Sequence, residues 1–262
     1  KTRRGAIRMR VLEANQVTKI YGDTKSENST KALNGVDFKV DEGEFVAIMG
    51  PSGSGKSTLV SILSGITEPT TGSVVIGGKR IDQMNRFDMA LFRRRSLGFV
   101  FQEFNLLDSL TIKENIILPM VLDKKDSAIM HSKAAEVLKL FEIENIADKY
   151  PYEVSGGQQQ RAAVCRSLVN DPVMIFADEP TGNLDSKSAN AVMNCFKKMN
   201  EEKNATILMV THDVFAASFC KKIIFIKDGK ICLEVANKGT RKEFFNRILD
   251  CQAALGGENN DF

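Results

Sequence analysis

No apolar run in the chain approaches the ~20 residues a membrane helix needs. The longest, such as 45–49 and 173–177, are five residues. The expectation is a chain that does not itself cross a bilayer, and no signal-peptide pattern opens it. Histidine is scarce: His131 and His212 are the only two, too few for a histidine-based metal cluster. The cysteines (Cys165, Cys195, Cys220, Cys232 and Cys251) are odd in number and never spaced CxxC. That argues against a disulfide framework or zinc site and fits free thiols in a reducing cytosol. Internal repeats, low-complexity tracts and long linkers are also missing. Charge of one sign is lacking too, with 36 basic against 33 acidic residues. Five of the bases fall in the first ten residues; without them the balance is 31 to 33. A near-neutral fold argues against a large nucleic-acid surface. The basic start reads as a solvated arm, with contact to anionic lipid as the alternative.

What remains is ordinary globular composition, 43% hydrophobic and 26% charged over 262 residues, enough for one or two domains with a large core. Apolar and polar residues alternate over 11–14, 17–21 and 36–40, which predicts antiparallel strands. Residues 45–49 are continuously apolar, as in a strand buried on both faces. From about 105 to 170 the texture is helical. Ile129, Met130, Ala134, Val137, Leu138 and Phe141 fall on one side of a helix over 127–141. A second helix covers 158–169, stopped by Asn170-Asp171-Pro172. Strands at 173–177 and 206–210 flank a helix at 186–203. Asp228-Gly229 between 223–226 and 231–235 signals a hairpin. Thr240-Arg241-Lys242-Glu243 is a capping box that opens a last helix carrying Phe244, Phe245, Ile248 and Leu249. Strands alternating with helices predict an α/β fold with a mainly parallel sheet and helices on both faces. An N-terminal antiparallel part and an inserted helical part accompany it.

The stretch Gly50-Pro51-Ser52-Gly53-Ser54-Gly55-Lys56-Ser57 fits GxxxxGK[ST]. A chance match over this length is about 1% at average residue usage. Its place, after an apolar strand and before an apolar helix, is the one a phosphate loop requires. Glycines let backbone N–H groups curl towards the phosphates, and the helix N-terminus adds positive dipole. Lys56 can reach β/γ-phosphates, Ser57 can offer its hydroxyl to Mg²⁺, and Thr58 adds a further phosphate contact. The plain alternative is a glycine-rich turn without a nucleotide.

A second strand, 173–177, runs into Asp178 and Glu179. Ligands bind at the C-terminal ends of strands in open α/β sheets. There Asp178 would hold Mg²⁺ through water, and Glu179 could take a proton from attacking water. Acids capping a strand end are the alternative. His212 likewise follows the strand 206–210 and could bond a phosphate oxygen or position water; a structural histidine is the competing reading.

Ser155-Gly156-Gly157-Gln158, followed by Gln159-Gln160-Arg161, resembles the signature motif of ABC-type ATPases, with Val154 where that family usually has Leu. The resemblance extends in order from about Leu12 to Leu233. It implies that Tyr21 stacks on adenine and that Gln102 senses Mg²⁺ and water and contacts the transport domain. Asn183-Leu184-Asp185 resembles the D-loop, and His212 the switch histidine. The family fold it implies is a P-loop NTPase core over about 11–100 and 171–235, a helical subdomain at 103–170 and a C-terminal helix and tail at 240–262, all in one ABC ATPase domain. It also implies Mg-ATP hydrolysis and pairing with a second copy. Ser155, Gly156, Gly157 and Gln158 of one chain would close over ATP held by its partner.

Residues 99–102, 104–107 and 177–185 look like the subfamily serving MacB-like permeases. The tail Phe244-Phe245 to Gly257 looks most like the ATPase of bacitracin-type peptide-resistance transporters. The implied role is an ATPase at the cytoplasmic face of the membrane that powers a separate integral-membrane permease. Lipoprotein-release, macrolide-export and cell-division regulatory ATPases stand as alternatives. A ribosome- or DNA-acting ATPase would need tandem units or long coiled coils, which the chain lacks. Phe99, Phe101, Phe104 and Leu106–Leu107 either line the permease groove near Gln102 or belong to the core.

Overall fold

The computed structural model describes residues 9–22 and 29–256. Most of the basic arm therefore lies outside the described residues. The N-terminal alternation folds as an antiparallel sheet in the order β2-β1-β4-β5. Its strands are β1 (Arg10–Tyr21), β2 (Thr30–Asp41), β4 (Thr71–Ile76) and β5 (Lys79–Arg80). The two stretches expected at 11–14 and 17–21 are one strand. Its register against β2 shifts between Ala14 and Val17, and Gln16 takes a left-handed φ of 49°. The bulge flips the parity of the strand, so Leu12, Ala14 and Val17 are all buried.

The second sheet has the order β10-β9-β3-β8-β7-β6. Strands β3 (Phe45–Met49), β6 (Leu97–Val100), β7 (Met174–Asp178), β8 (Ile207–Val210) and β9 (Lys222–Lys227) pair in parallel. β10 (Lys230–Ala236) is antiparallel to β9, as the Asp-Gly turn requires. Every residue of β3 is buried, which at ~1.5–3 kcal/mol per large apolar side chain makes this central strand a main source of stability. Phe45, Ala47 and Met49 face one core cluster, and Val46 and Ile48 another. The first is closed by α5 (Gly156–Leu168), α6 (Ser186–Glu202), α7 (Val214–Ala217) and α8 (Arg241–Gly256). The second is closed by α1 (Lys56–Leu63) and α2 (Arg86–Ser96), with the antiparallel sheet sharing the cover. Helices thus lie on both faces, but on one they do not act alone.

Between β6 and β7 the chain inserts α3 (Ile112–Leu122) and α4 (Ser127–Leu140), which pack on α5. Asn115 is buried at the start of α3 and bonds Leu107, Leu110 and Thr111, fixing the loop that leads in. On α4, Ala134, Val137 and Leu138 are buried and Met130 packs against the same core, but Ile129, one residue off that face, is exposed. On α8, Phe244 and Ile248 are buried and Leu249 is exposed. The Thr240 box forms: Thr240 N–H donates to Glu243 at 2.7 Å and Glu243 N–H to the Thr240 hydroxyl at 3.3 Å. The cysteines are free thiols. Burial pushes the Cys195 thiol up to about 12 and those of Cys165 and Cys220 well above their usual value, so these three are poor nucleophiles.

Candidate nucleotide-binding site

The loop 50–55 joins the buried end of β3 to α1. Gly55 caps that helix at φ 102°, without any side-chain cap. A Cβ there would lie 2.5 Å from the Ala32 carbonyl oxygen, so glycine alone fits. The first-turn N–H groups of α1 lack helical acceptors by geometry, and no acid stands in that turn. Lys56 Nζ donates to the carbonyls of Gly50 (2.8 Å) and Pro51 (2.7 Å). Burial holds its pKa below the usual lysine value, against the opposing pull of Glu179 and Asp178. Ser54 Oγ is buried with no hydrogen-bond partner among the described residues. The loop thus carries the features of an anion cradle: a lysine folded onto backbone oxygens, an uncapped helix start and an orphan hydroxyl.

Around it lies a cavity of ≈ 640 Å³ lined by Gly50, Ser52, Gly53, Gly55, Lys56, Ser57 and Thr58. Glu179 and His212 join the wall, as do Thr30, Lys31, Ala32, Asp228 and Gly229. Parallel pairing of β7 with β8 sets Asp178 beside Val210 and brings the next residues together. His212 Nδ1 lies 2.8 Å from Glu179 Oε1, which also accepts the His212 backbone N–H at 3.2 Å. Glu179 holds a left-handed φ of 44°, the kind of local strain found where a side chain must be aimed. Burial and the neighbouring Glu179 charge raise the Asp178 carboxyl, while Lys56 opposes them.

The other expected site residues lie outside this cavity. Gln102 Nε2 donates to Asn183 Oδ1 at 3.0 Å, and Asn183 Nδ2 to the Gln102 carbonyl at 3.3 Å. Asp185 caps α6 by accepting from Lys187 N (2.9 Å) and Ser188 N (3.0 Å). Ser155 caps α5 in a box with Gln158: Ser155 N–H donates to Gln158 Oε1 at 2.9 Å. Gly157 sits so close to α6 that a Cβ would lie 2.7 Å from that of Ser188. Tyr21 is 45% exposed, with Lys19 Nζ 5.2 Å from its ring centre. The signature segment and the phosphate loop are therefore separate surfaces of one chain.

Residues 30–32 and Asp228-Gly229 are lining residues that sequence reasoning missed. The hairpin signal was legible; its docking was not. Gly229 N–H donates to the Ser54 carbonyl at 3.0 Å, made close by the β3–β9 pairing. A second cavity, of ≈ 440 Å³, is an apolar groove lined by Phe99, Phe101, Leu118 and Leu122 with Arg93, Arg94 and Arg166. Phe104 instead packs over Gly156, and Leu106 against the core. Leu107 is exposed outside the groove.

The model of the ABC transporter family matches residues 33–182, more than half of the chain. The chain belongs to the ABC transporter ATP-binding family. This ABC ATPase is 52% identical over 254 residues to the uncharacterised ABC transporter ATP-binding protein YvcR of Bacillus subtilis, covering 97% of this chain and 98% of that protein. It is 48% identical to the bacitracin export ATP-binding protein BceA of Halalkalibacterium halodurans, over 97% of this chain and all of that one. Its fold matches the ATP-binding cassette MJ0796 of Methanocaldococcus jannaschii, solved as a dimer in a post-hydrolysis state with ADP and Pi. The TM-score is 0.77 at 41% identity, over 87% of this chain and 99% of that one. As a member of this family the chain binds and hydrolyses ATP. Among the described residues no helix is long and apolar enough to cross a membrane.

Proposed function

We propose that the chain is the ATP-hydrolysing subunit of a transporter whose permease is a separate MacB-like membrane protein, serving resistance to or export of bacitracin-type antimicrobial peptides. It works as a pair that closes over two ATP molecules at the cytoplasmic face of the membrane. The observation that carries the pairing is the separation of Ser155–Gly157 from the cavity around Lys56: an anion-binding helix start without a nucleotide of its own fits a site completed by a second copy. The dimeric MJ0796 cassette supports it. The peptide assignment is supported by the similarity to BceA, which runs over 97% of this chain.

Lys56 leaves the Gly50 and Pro51 carbonyls for the β/γ-phosphates, and the N–H groups at the start of α1 hold the remaining phosphate oxygens. Tyr21 stacks on adenine. Glu179 accepts a proton from the water whose oxygen attacks the γ-phosphorus, as the bond to the β–γ bridging oxygen breaks and ADP leaves. His212 holds the Glu179 carboxylate and orients that water. Among the described residues no cluster of three or more His, Cys, Asp or Glu could hold a metal. The donors at hand are the Ser57 hydroxyl, Asp178 and the Gln102 amide oxygen. Few, hard oxygen ligands suit Mg²⁺, which keeps waters and phosphates in its shell. Bound there it would neutralise charge on the phosphate oxygens. Gln102, now paired with Asn183, would offer its amide oxygen there once that pair opens. The groove beside Phe99 and Phe101 receives a short helix of the permease.

Tagged chain recovered from native membranes tests the partner. The expected companion is a multi-span permease with a large extracellular domain. A cell-division hydrolase system, or no membrane protein at all, would replace this reading.

A further inference from the structure

α5 grips the chain on both sides of the proposed hydrolysis machinery. Gln160 is fully buried on this helix. Its Nε2 donates to the Phe101 carbonyl at 3.0 Å and to the Pro180 carbonyl at 2.6 Å. Phe101 immediately precedes Gln102, and Pro180 immediately follows Glu179. One amide nitrogen, using both of its hydrogens, therefore ties the backbone next to Gln102 to the backbone next to Glu179. Gln160 Oε1 is buried without a donor. A position that needed only volume would be filled by an apolar side chain with no acceptor to leave unpaired. The two donated bonds are what such a side chain lacks.

One helical face further along, Arg166 reinforces the grip. Its Nη2 donates to the Phe104 carbonyl at 2.8 Å and its Nη1 to that of Asn105. Phe104 and Asn105 hold left-handed φ values of 58° and 50°. Non-glycine residues adopt that conformation at a cost and keep it only when held. The Phe104 ring lies 3.4 Å from where a Gly156 Cβ would be, against the signature turn. Phe101, Asn105 and Arg166 are also in the wall of the apolar groove. The groove and the segments beside Gln102 and Glu179 are thus joined through one helix by bonds to carbonyls, with the Phe104 ring set against the signature turn.

We infer that Gln160 is a positioning residue for hydrolysis, locking the Gln102 and Glu179 segments to α5 and to each other. The inference rests on the functional reading above for the roles of Gln102 and Glu179.

Gln160→Met keeps the volume and removes both donors. In the purified full-length chain, kcat for ATP falls about tenfold, as expected for two lost hydrogen bonds. The ATP Kd stays within about twofold, and far-UV circular dichroism is unchanged. Combined with Gln102→Ala, the loss is smaller than the product of the two single losses, because both act through one segment. A wild-type kcat in Gln160→Met overturns the inference, and so does full multiplicativity of the two losses. An equal loss of kcat and ATP binding also overturns it, since that marks a general packing defect. Should Gln160→Met fail to fold, Gln160→Asn carries the same test: its amide is one methylene shorter and cannot span both carbonyls. Glu179→Gln serves as the separate control. Hydrolysis by that variant at wild-type rate removes the role of Glu179 and hence the functional reading, whatever Gln160 does.

Discussion

Glu179 Oε1 accepts the His212 backbone N–H at 3.2 Å and lies 2.8 Å from Nδ1 of the same residue's ring. The pair spans the ends of two neighbouring strands; sheet register brings the two residues together beside the cavity around Lys56, and the left-handed turn at Glu179 follows the strand end. His212→Ala leaves Glu179 with the backbone bond only. The expected result is a kcat lowered roughly 10²-fold, the size of a lost acid–base partner, with ATP affinity nearly unchanged. Steady-state hydrolysis and nucleotide titration measure the two.

Lys56→Ala removes the cation of the phosphate loop. The ATP Kd rises about 10–100-fold, the worth of one charge-assisted hydrogen bond. The upward shift of Tm on adding ATP disappears with it. An ATP-induced Tm shift of wild-type size would contradict the placement of Lys56 on the phosphates.

Asp178 carries a stability cost that reads out with pH. Burial and Glu179 raise its carboxyl above the usual carboxylate value in the folded chain. A carboxyl raised in this way binds its proton more tightly folded than unfolded. Its contribution is therefore most favourable at low pH and is lost as pH rises from the unfolded value through the folded one. At neutral pH the native state bears the full cost. Asp178→Asn raises Tm by a few degrees at pH 7.5, and the gain vanishes as pH falls towards about 4. Magnesium-dependent hydrolysis falls in the same variant. Calorimetry across pH checks the first effect; a gain that grows on acidification would refute it.

Gly229 sits at φ 70°, and a Cβ would lie 2.7 Å from the Ala32 carbonyl oxygen. Gly229→Ala costs ~1–3 kcal/mol in backbone strain, lowering Tm. Because this turn bonds Ser54 and lines the cavity, the KM for ATP rises more than kcat falls. Unchanged KM would detach the hairpin from nucleotide binding.

Much of this architecture was legible in the residues. The continuous apolarity of 45–49 foretold a strand buried on both faces, and GxxxxGK[ST] foretold the cradle, because each depends on local chemistry. What lay hidden was tertiary. The docking of Asp228-Gly229 on Ser54 follows from strand order, which no local pattern encodes. Ile129 and Leu249 are exposed because each lies one residue off the packed face: Met130 beside the one, and Ile248 and Cys251 beside the other, meet the core. Phe99 and Phe101 line the groove while Phe104 turns to Gly156, a split that depends on the left-handed backbone at 104–105 and not on hydrophobicity.

Complementation between two inactive variants tests the shared site most directly. Lys56→Ala disables the phosphate loop and Ser155→Phe blocks the signature turn, each leaving the other element intact. Alone, both are predicted to be inactive. Mixed in equal amounts, half of randomly formed pairs combine the two, each with one intact site of two, so hydrolysis recovers to about a quarter of the wild-type rate. Full activity of Ser155→Phe by itself, with no recovery on mixing, would show each nucleotide enclosed by a single chain and contradict the account.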